Sequence, residues 1–153
     1  KSGILVKGMH NLAVRFSKCC SPVPGDEIVG FITRGRGVAI HRTDCINMLN
    51  LPEMERVRLI DAEWEGKPDE MSGEKYMVEI MVYANNRNGL LADISRALTE
   101  KDIDILSLNT RINKQGLATM AIAFEINNRD ELNRIVEKIR SIESVVDIER
   151  TTG

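Results

Sequence analysis

Cys19-Cys20-Ser21-Pro22-Val23-Pro24-Gly25-Asp26 opens the most informative stretch of the chain, and Gly35-Arg36-Gly37-Val38-Ala39-Ile40-His41-Arg42-Thr43-Asp44-Cys45 completes it. All three cysteines lie inside it, and His41 stands four residues before Cys45. Two strand-like runs, 28–33 and 38–42, separate these residues. A hairpin between the runs returns His41 and Cys45 towards the cysteine pair. Three thiols and one imidazole then converge, which is the ligand set of a closed tetrahedral zinc site. Adjacent cysteines can share one ion only if the backbone turns sharply, and Pro22 with Pro24-Gly25 supplies that turn chemistry. A second reading fits the same spacing: the cysteines are small buried hydrophobes and His41 is a hydrogen-bonded core residue. Three thiols cannot all pair as disulfides, and no secretory context accompanies them.

Working outward, the elements around this stretch are short. Residues 4–6 and 12–16 read as strands. The runs 28–33 and 38–42 form a hairpin through Arg34-Gly35-Arg36-Gly37, whose glycines permit a tight turn. Thr43 or Asp44 is placed to cap a short helix that stops before Pro52. Residues 56–64 alternate apolar with charged side chains and read as a closing strand. Residues 66–74 are polar, carry Pro68 and two glycines, show no period, and read as a linker. A module of about 60 residues has a marginal core and gains from a metal or a neighbouring domain.

Beyond the linker, Tyr76, Val78, Ile80 and Val82 share one face of a half-buried strand. Leu90, Leu91, Ile94 and Leu98 form one helical stripe, and Leu132, Ile135, Val136 and Ile139 form a second. Between the helices, runs 103–112 and 117–126 are joined by Asn113-Lys114-Gln115-Gly116, a hairpin loop. Asn128 followed by Glu131 resembles a capping box. Residues 144–149 give a last strand. The order β-α-β-β-α-β predicts a ferredoxin-like unit with two helices on one face of a four-stranded antiparallel sheet. The fold class is therefore α+β, a small β-rich Cys/His module at 1–65 and a ferredoxin-like unit at 75–153.

Charge is unevenly placed. Residues 1–45 hold seven Lys/Arg against three acids, a balance of +4, while residues 67–153 hold twelve against fifteen, a balance of −3. A basic first module suits an anionic partner such as RNA, although +4 also suits an ordinary solvated surface. No apolar run approaches the roughly 18 residues of a membrane span, so a cytoplasmic protein with reduced thiols is expected. The sequence begins at Lys1 and not at methionine, which reads as a piece of a longer protein.

The pattern C-C-x-P-x-P-G-D-x-I-x-G followed by G-R-G-x-x-x-H-R-x-x-C resembles the zinc-finger or ribosome-intersubunit module of RelA/SpoT-type (p)ppGpp synthetase/hydrolases, over residues 6–64. The resemblance implies a metal or pseudo-metal site at Cys19, Cys20, His41 and Cys45. It also implies a ribosome- or tRNA-facing surface, to which Lys18, Arg34, Arg36 and Arg42 are assigned as RNA-binding residues. The loop Asn85-Asn86-Arg87-Asn88-Gly89-Leu90-Leu91 resembles the D-R-x-G-L-L signature of ACT domains, modules that sense small molecules and often pair. This second resemblance spans 75–152. Asn86 stands where that motif has aspartate, so it keeps a carbonyl acceptor able to cap a helix and loses the charge.

The implied ligand site is Asn86, Arg87, Asn88, Gly89, Leu90 and Leu91. Free N–H groups at the helix start suit a carboxylate, and the leucines suit an apolar side chain, so a branched-chain amino acid is the expected ligand. Gly89 equally fits a plain strand-to-helix turn. No catalytic constellation is visible: the paired carboxylates Asp26-Glu27 and Glu53/Glu55 read as solvated turn and helix-end charges, and Gly35-Arg36-Gly37 lacks the remainder of a P-loop. The expected function is regulation of upstream catalytic domains, those of a GTP pyrophosphokinase/(p)ppGpp hydrolase of the stringent response, with zinc as the cofactor and a homodimer as the assembly. Two other readings stay open: a structural dimerisation unit without ligand, and a thiol or metal redox sensor.

Overall fold

The computed structural model describes residues 3–7, 12–66 and 74–151. Most of the predicted linker, 67–73, lies outside the described residues. The chain forms two compact units that divide at Glu74 and Lys75. Among the described residues, no helix is long and apolar enough to cross a membrane.

The first unit is a five-stranded sheet. Its strands are β1 (Ile4–Val6), β2 (Val14–Phe16), β3 (Ile28–Ile32), β4 (Val38–Arg42) and β5 (Leu59–Trp64), in the order β1-β5-β3-β4-β2. The β3–β4 hairpin is antiparallel, with Ile28 opposite Arg42 and Ile32 opposite Val38. β2 runs parallel to β4 at the edge, Val14 opposite Val38 and Phe16 opposite Ile40. That approach requires Gly37: its φ is +74°, and a Cβ there would lie 2.2 Å from the Ala13 carbonyl oxygen.

Side-chain alternation gives this sheet two different faces. One carries an apolar core of Ile4, Val6, Ile28, Val38 and Ile40, closed by Phe16 and Trp64, whose rings stack at 5.6 Å. The other carries Cys20, Cys45 and Met48, with Cys19, Val29, Phe31, Leu51 and Leu59 packed around them. A short helix, α1 (Ile46–Leu49), and a 3-10 segment, Glu53–Arg58, follow Cys45.

Three local expectations are corrected here. Cys45, and not Thr43 or Asp44, stands at the start of α1, and no side chain caps that helix. Arg56, Val57 and Arg58 belong to the 3-10 segment, so the closing strand starts at Leu59; Pro52 and the acids Glu53 and Glu55 favour a helical first turn there. Asp26 is buried and not a solvated turn charge. Its carboxylate accepts the Val23 N–H at 2.9 Å, and its carbonyl accepts Trp64 Nε1–H at 3.0 Å. Asp26 thereby ties the turn that follows the cysteine pair to the apolar core.

The second unit is the βαββαβ arrangement. β6 (Tyr76–Asn85), α2 (Leu90–Thr99), β7 (Ile105–Ile112), β8 (Leu117–Ile126), α3 (Arg129–Arg140) and β9 (Val145–Arg150) follow in that order, and the sheet order is β7-β8-β6-β9. Val78, Ile80, Val82 and Ala84 of β6 and Ala118, Met120, Ile122 and Phe124 of β8 turn inward. They are joined in the core by Leu90, Ile94 and Leu98 of α2 and by Leu132, Ile135 and Ile139 of α3. Asn128 caps α3, its side chain accepting the Glu131 N–H at 2.9 Å. The reciprocal bond of the box is displaced by one residue: Glu131 accepts from the Asn127 N–H at 2.7 Å. β7 lies at the sheet edge, and Ile105, Leu106, Leu108 and Ile112 on it are exposed.

Candidate metal centre

Three segments build the Cys/His cluster. The chain leaves β2 at Phe16, and the Ser17 N–H continues the pairing to the Ile40 carbonyl, so residues 17–20 run beside the end of β4. The Ser21 N–H then bonds back to the Ser17 carbonyl, and Ser21 takes a left-handed φ of 48°. This is the sharp turn an adjacent cysteine pair needs. Strand alternation sends His41 to the cysteine face of the sheet, since Ile40 and Val38 occupy the other. The Cys45 N–H bonds to the Arg42 carbonyl, which folds Cys45 back over the end of the hairpin.

The four side chains meet. One donor atom from each of Cys19, Cys20, His41 and Cys45 lies within 4.8 Å of every other. Cys19 Sγ is 4.0 Å from Cys20 Sγ, 3.5 Å from Cys45 Sγ and 3.4 Å from His41 Nδ1, and Cys20 Sγ is 3.9 Å from that nitrogen. A tetrahedron with Zn–S near 2.3 Å and Zn–N near 2.0–2.1 Å has S···S edges of about 3.8 Å and S···N edges of about 3.6 Å. The measured separations bracket those edges, so the cluster is positioned to hold a metal ion, and a three-sulfur, one-nitrogen donor set suits zinc. Four protein ligands leave no open coordination position, which is the pattern of a structural site and not of a catalytic one.

Neighbouring groups hold the ligands in place. Ser17 Oγ lies 3.0 Å from His41 Nε2, which leaves Nδ1 facing the sulfurs. Burial and the Arg15 charge hold the His41 imidazole below its ordinary range, so it is neutral at pH 7, the form that ligates a metal. The Arg42 backbone N–H points at Cys20 Sγ at 3.3 Å. Burial pushes the Cys20 thiol up to about 12 and the Cys45 thiol up as well. A metal ion entering the cluster therefore displaces protons from its thiols.

The four predicted RNA-contacting residues do not form one surface. Arg34 and Arg36 are exposed at the β3–β4 turn, while Lys18 is exposed beside Cys19 at the opposite end of the hairpin, about 14 Å away by strand rise. Arg42 is only 5% exposed. Its guanidinium donates to the Cys20 carbonyl at 3.0 Å and to both carboxylate oxygens of Asp44 at 2.9 and 2.8 Å. Arg42 thus braces the cysteine turn and is not exposed with Lys18, Arg34 and Arg36. Arg15 is a cation that sequence reasoning missed. Alternation of Val14, Arg15 and Phe16 sends it, exposed, to the cysteine face near His41. Ser17 was also missed, and no spacing marks it.

In the second unit the loop 86–91 is tightly held. The Asn86 N–H bonds the Gly116 carbonyl at 2.8 Å. Arg87 donates twice to the Glu143 carbonyl and once each to the Asn88 carbonyl and Asp93. The Arg87 and Arg96 guanidiniums hold the Asp93 carboxyl below the usual carboxylate range. Gly89 sits at the start of α2 with φ +82°, and no side chain caps that helix, so Asn86 does not do so. Leu90 is 1% exposed and packs into the core, whereas Leu91 is 46% exposed and turns away from the predicted core stripe. A polar groove of about 380 Å³ between α2 and α3 includes Arg87, Asp93, Arg96, Glu100 and Lys138 in its lining.

Comparison with known proteins agrees with this division. Residues 4–65 match the family described as the RelA/SpoT RIS domain, and residues 72–150 match the ACT domain family. A GTP pyrophosphokinase of Escherichia coli K12 is 38% identical over 151 residues, covering 98% of this chain and 20% of that protein. A bifunctional (p)ppGpp synthase/hydrolase RelA of Mycobacterium tuberculosis is 36% identical over 99% of this chain and 20% of its own length. The crystal structure of the ACT domain from a Chlorobium tepidum GTP pyrophosphokinase covers 50% of this chain and 99% of its own, at 22% identity and a TM-score of 0.46. The chain thus spans about a fifth of the length of these curated relatives, and their catalytic domains are not part of it. It belongs to the RelA/SpoT family, as a RIS domain followed by an ACT domain.

Proposed function

We propose that this chain is the regulatory part of a stringent-response GTP pyrophosphokinase/(p)ppGpp hydrolase acting in the cytoplasm. The RIS domain, closed by zinc at Cys19, Cys20, His41 and Cys45, meets the ribosome and its tRNA. The ACT domain takes a branched-chain amino acid at the loop 86–91 and pairs with a second copy. Both control the catalytic domains of the same protein. The observation that carries this reading is the succession of a RIS domain and an ACT domain in one chain, as matched in GTP pyrophosphokinases.

For the ribosome, the supporting feature is the exposed Arg34-Gly35-Arg36 tip, with Lys18 and Arg15 exposed separately on the cysteine flank. Reversing Arg34 and Arg36 to glutamate is expected to weaken co-sedimentation with ribosomes more than tenfold at about 0.1 M salt and to flatten its salt dependence, because phosphate contacts release counterions. Retained association would move the contact to the Arg15 and Lys18 flank or off this domain.

For the amino acid, Leu91 and the start of α2 support binding, and the missing aspartate sets a modest affinity. Calorimetry with valine and isoleucine is expected to give a dissociation constant of about 0.1–1 mM, or roughly 4–5.5 kcal/mol. Leu91→Asp, at an exposed position, is expected to weaken binding at least tenfold without unfolding α2. The exposed apolar residues of edge strand β7 support pairing of two copies, which light scattering on the same samples reports. No heat up to several millimolar from a dimeric sample would leave the ACT domain as a dimerisation unit.

A further inference from the structure

The three sulfurs of the cluster are not equivalent. Cys20 and Cys45 are buried, and Cys19 alone among them is half-buried, so a small oxidant from solvent reaches Cys19 first. Cys45 Sγ waits 3.5 Å from it, close to van der Waals contact, and Cys20 Sγ lies at 4.0 Å. Neighbouring residues across a trans peptide have Cα atoms about 3.8 Å apart, shorter than the roughly 4.4 Å at which ordinary disulfides begin. A Cys19–Cys20 bridge is therefore strained. Cys20 is further engaged by the Arg42 N–H at its sulfur. Cys45 lies 26 residues from Cys19 in sequence and is free of the adjacency constraint. Its sulfur needs to move by only about 1.5 Å to reach the S–S bond length of about 2.05 Å.

We propose that Cys19 and Cys45 form a peroxide-driven, reversible disulfide. The Cys19 sulfur attacks one oxygen of hydrogen peroxide, the O–O bond breaks, and one water leaves, giving a sulfenic acid on Cys19. The Cys45 sulfur then attacks the Cys19 sulfur, the S–O bond breaks, and a second water leaves. Two thiol sulfurs are oxidised, the peroxide is reduced, and the two thiol protons end in the two waters. The bridge consumes two of the four donors. Cys20 and His41 alone do not close a tetrahedral site, so oxidation and metal occupancy exclude one another. A dithiol reverses the step by exchange. Bridges of this reversible kind are the sort that occur where thiols are otherwise kept reduced.

The disulfide needs no bound zinc to form, and its formation is read apart from zinc content. Residues 1–153, as purified and after zinc loading, are treated with hydrogen peroxide, denatured, alkylated and mapped by peptide mass spectrometry with fragmentation. Zinc content is read independently by elemental analysis. Free thiols are expected to fall from three to one, with Cys45 joined to Cys19, Cys20 alkylated, and full recovery with dithiothreitol. In the zinc-loaded sample, each bridge is expected to release one zinc to a chromogenic indicator. Cys20→Ser should keep the bridge and Cys19→Ser should lose it. If a variant fails to fold, the wild-type map decides. A Cys19–Cys20 bridge, an intermolecular bridge, or a Cys19 sulfinic acid beside a free Cys45 thiol would overturn the proposal.

Discussion

Stripping zinc with a strong chelator is expected to lower the stability of the RIS domain by several kcal/mol, and His41→Ala is expected to do the same. Structural zinc contributes on the order of 10 kcal/mol in small peptides, and a unit of about 60 residues has little other reserve. Trp64 is the single tryptophan of the chain and reports on this domain alone. It stacks on Phe16, and its Nε1–H bonds the Asp26 carbonyl, two residues beyond Pro24 in the turn that follows the cysteine pair. Its fluorescence transition should move to much lower denaturant on chelation, while the ACT domain transition, followed by circular dichroism, stays in place. The pH dependence has a definite sign. Zinc must displace protons from thiols that burial keeps protonated, so the zinc-dependent stability is present at neutral and higher pH and is lost as pH falls. A Trp64 transition indifferent to chelator would mean that the cysteines and His41 are simply a packed core.

Arg42→Ala is expected to cost about 2–3 kcal/mol in the same transition, whereas Arg34→Ala and Arg36→Ala should stay within about 0.5 kcal/mol. The difference follows from what each guanidinium touches. Arg34 and Arg36 are exposed at the hairpin turn. Arg42 is buried and bridges the Cys20 carbonyl and the Asp44 carboxylate. Asp44 is 63% exposed at its side chain and regains water when Arg42 is removed, whereas the buried Asp26 carboxylate loses a nearby cation. The Cys20 carbonyl is less fortunate, because it loses a charged donor within a buried turn. Loosening that turn displaces two ligands at once, so zinc affinity should fall by about 10–100-fold, as for other groups that orient metal ligands. Lysine at 42 carries the charge but cannot span both acceptors, so Arg42→Lys should recover only part of the loss. Equal stability of Arg42→Ala and Arg34→Ala would show that the bridge is not holding the turn.

Much of the architecture was legible because the sequence alternates cleanly. β-branched Val78, Ile80 and Val82 at every second position mark β6, and Asn128 with Glu131 marks the start of α3. The Cys/His cluster was legible for a different reason: sulfur and imidazole are rare, and one hairpin suffices to gather them. What stayed hidden depends on burial that composition does not encode. Arg42 and Arg36 are the same residue type six positions apart, yet one is a brace and the other an exposed tip, because the strand end beside the cysteine turn is covered and the hairpin turn is not. Asp26 reads as a turn acid until its acceptance of the Val23 N–H is seen. Leu90 and Leu91 are adjacent and chemically alike, but a helix shows the core only one of them. Residues 56–58 read as strand because they continue the charged and apolar alternation towards β5, yet they close the 3-10 segment Glu53–Arg58.

X-ray absorption at the zinc edge, on the full 153-residue chain purified without chelator, tests the central claim most directly. It should show about one zinc per chain bound by three sulfurs near 2.3 Å and one nitrogen near 2.0–2.1 Å, with one sulfur lost in Cys19→Ser. Protein free of zinc but equally stable, or zinc bound by oxygen and nitrogen only, would contradict it.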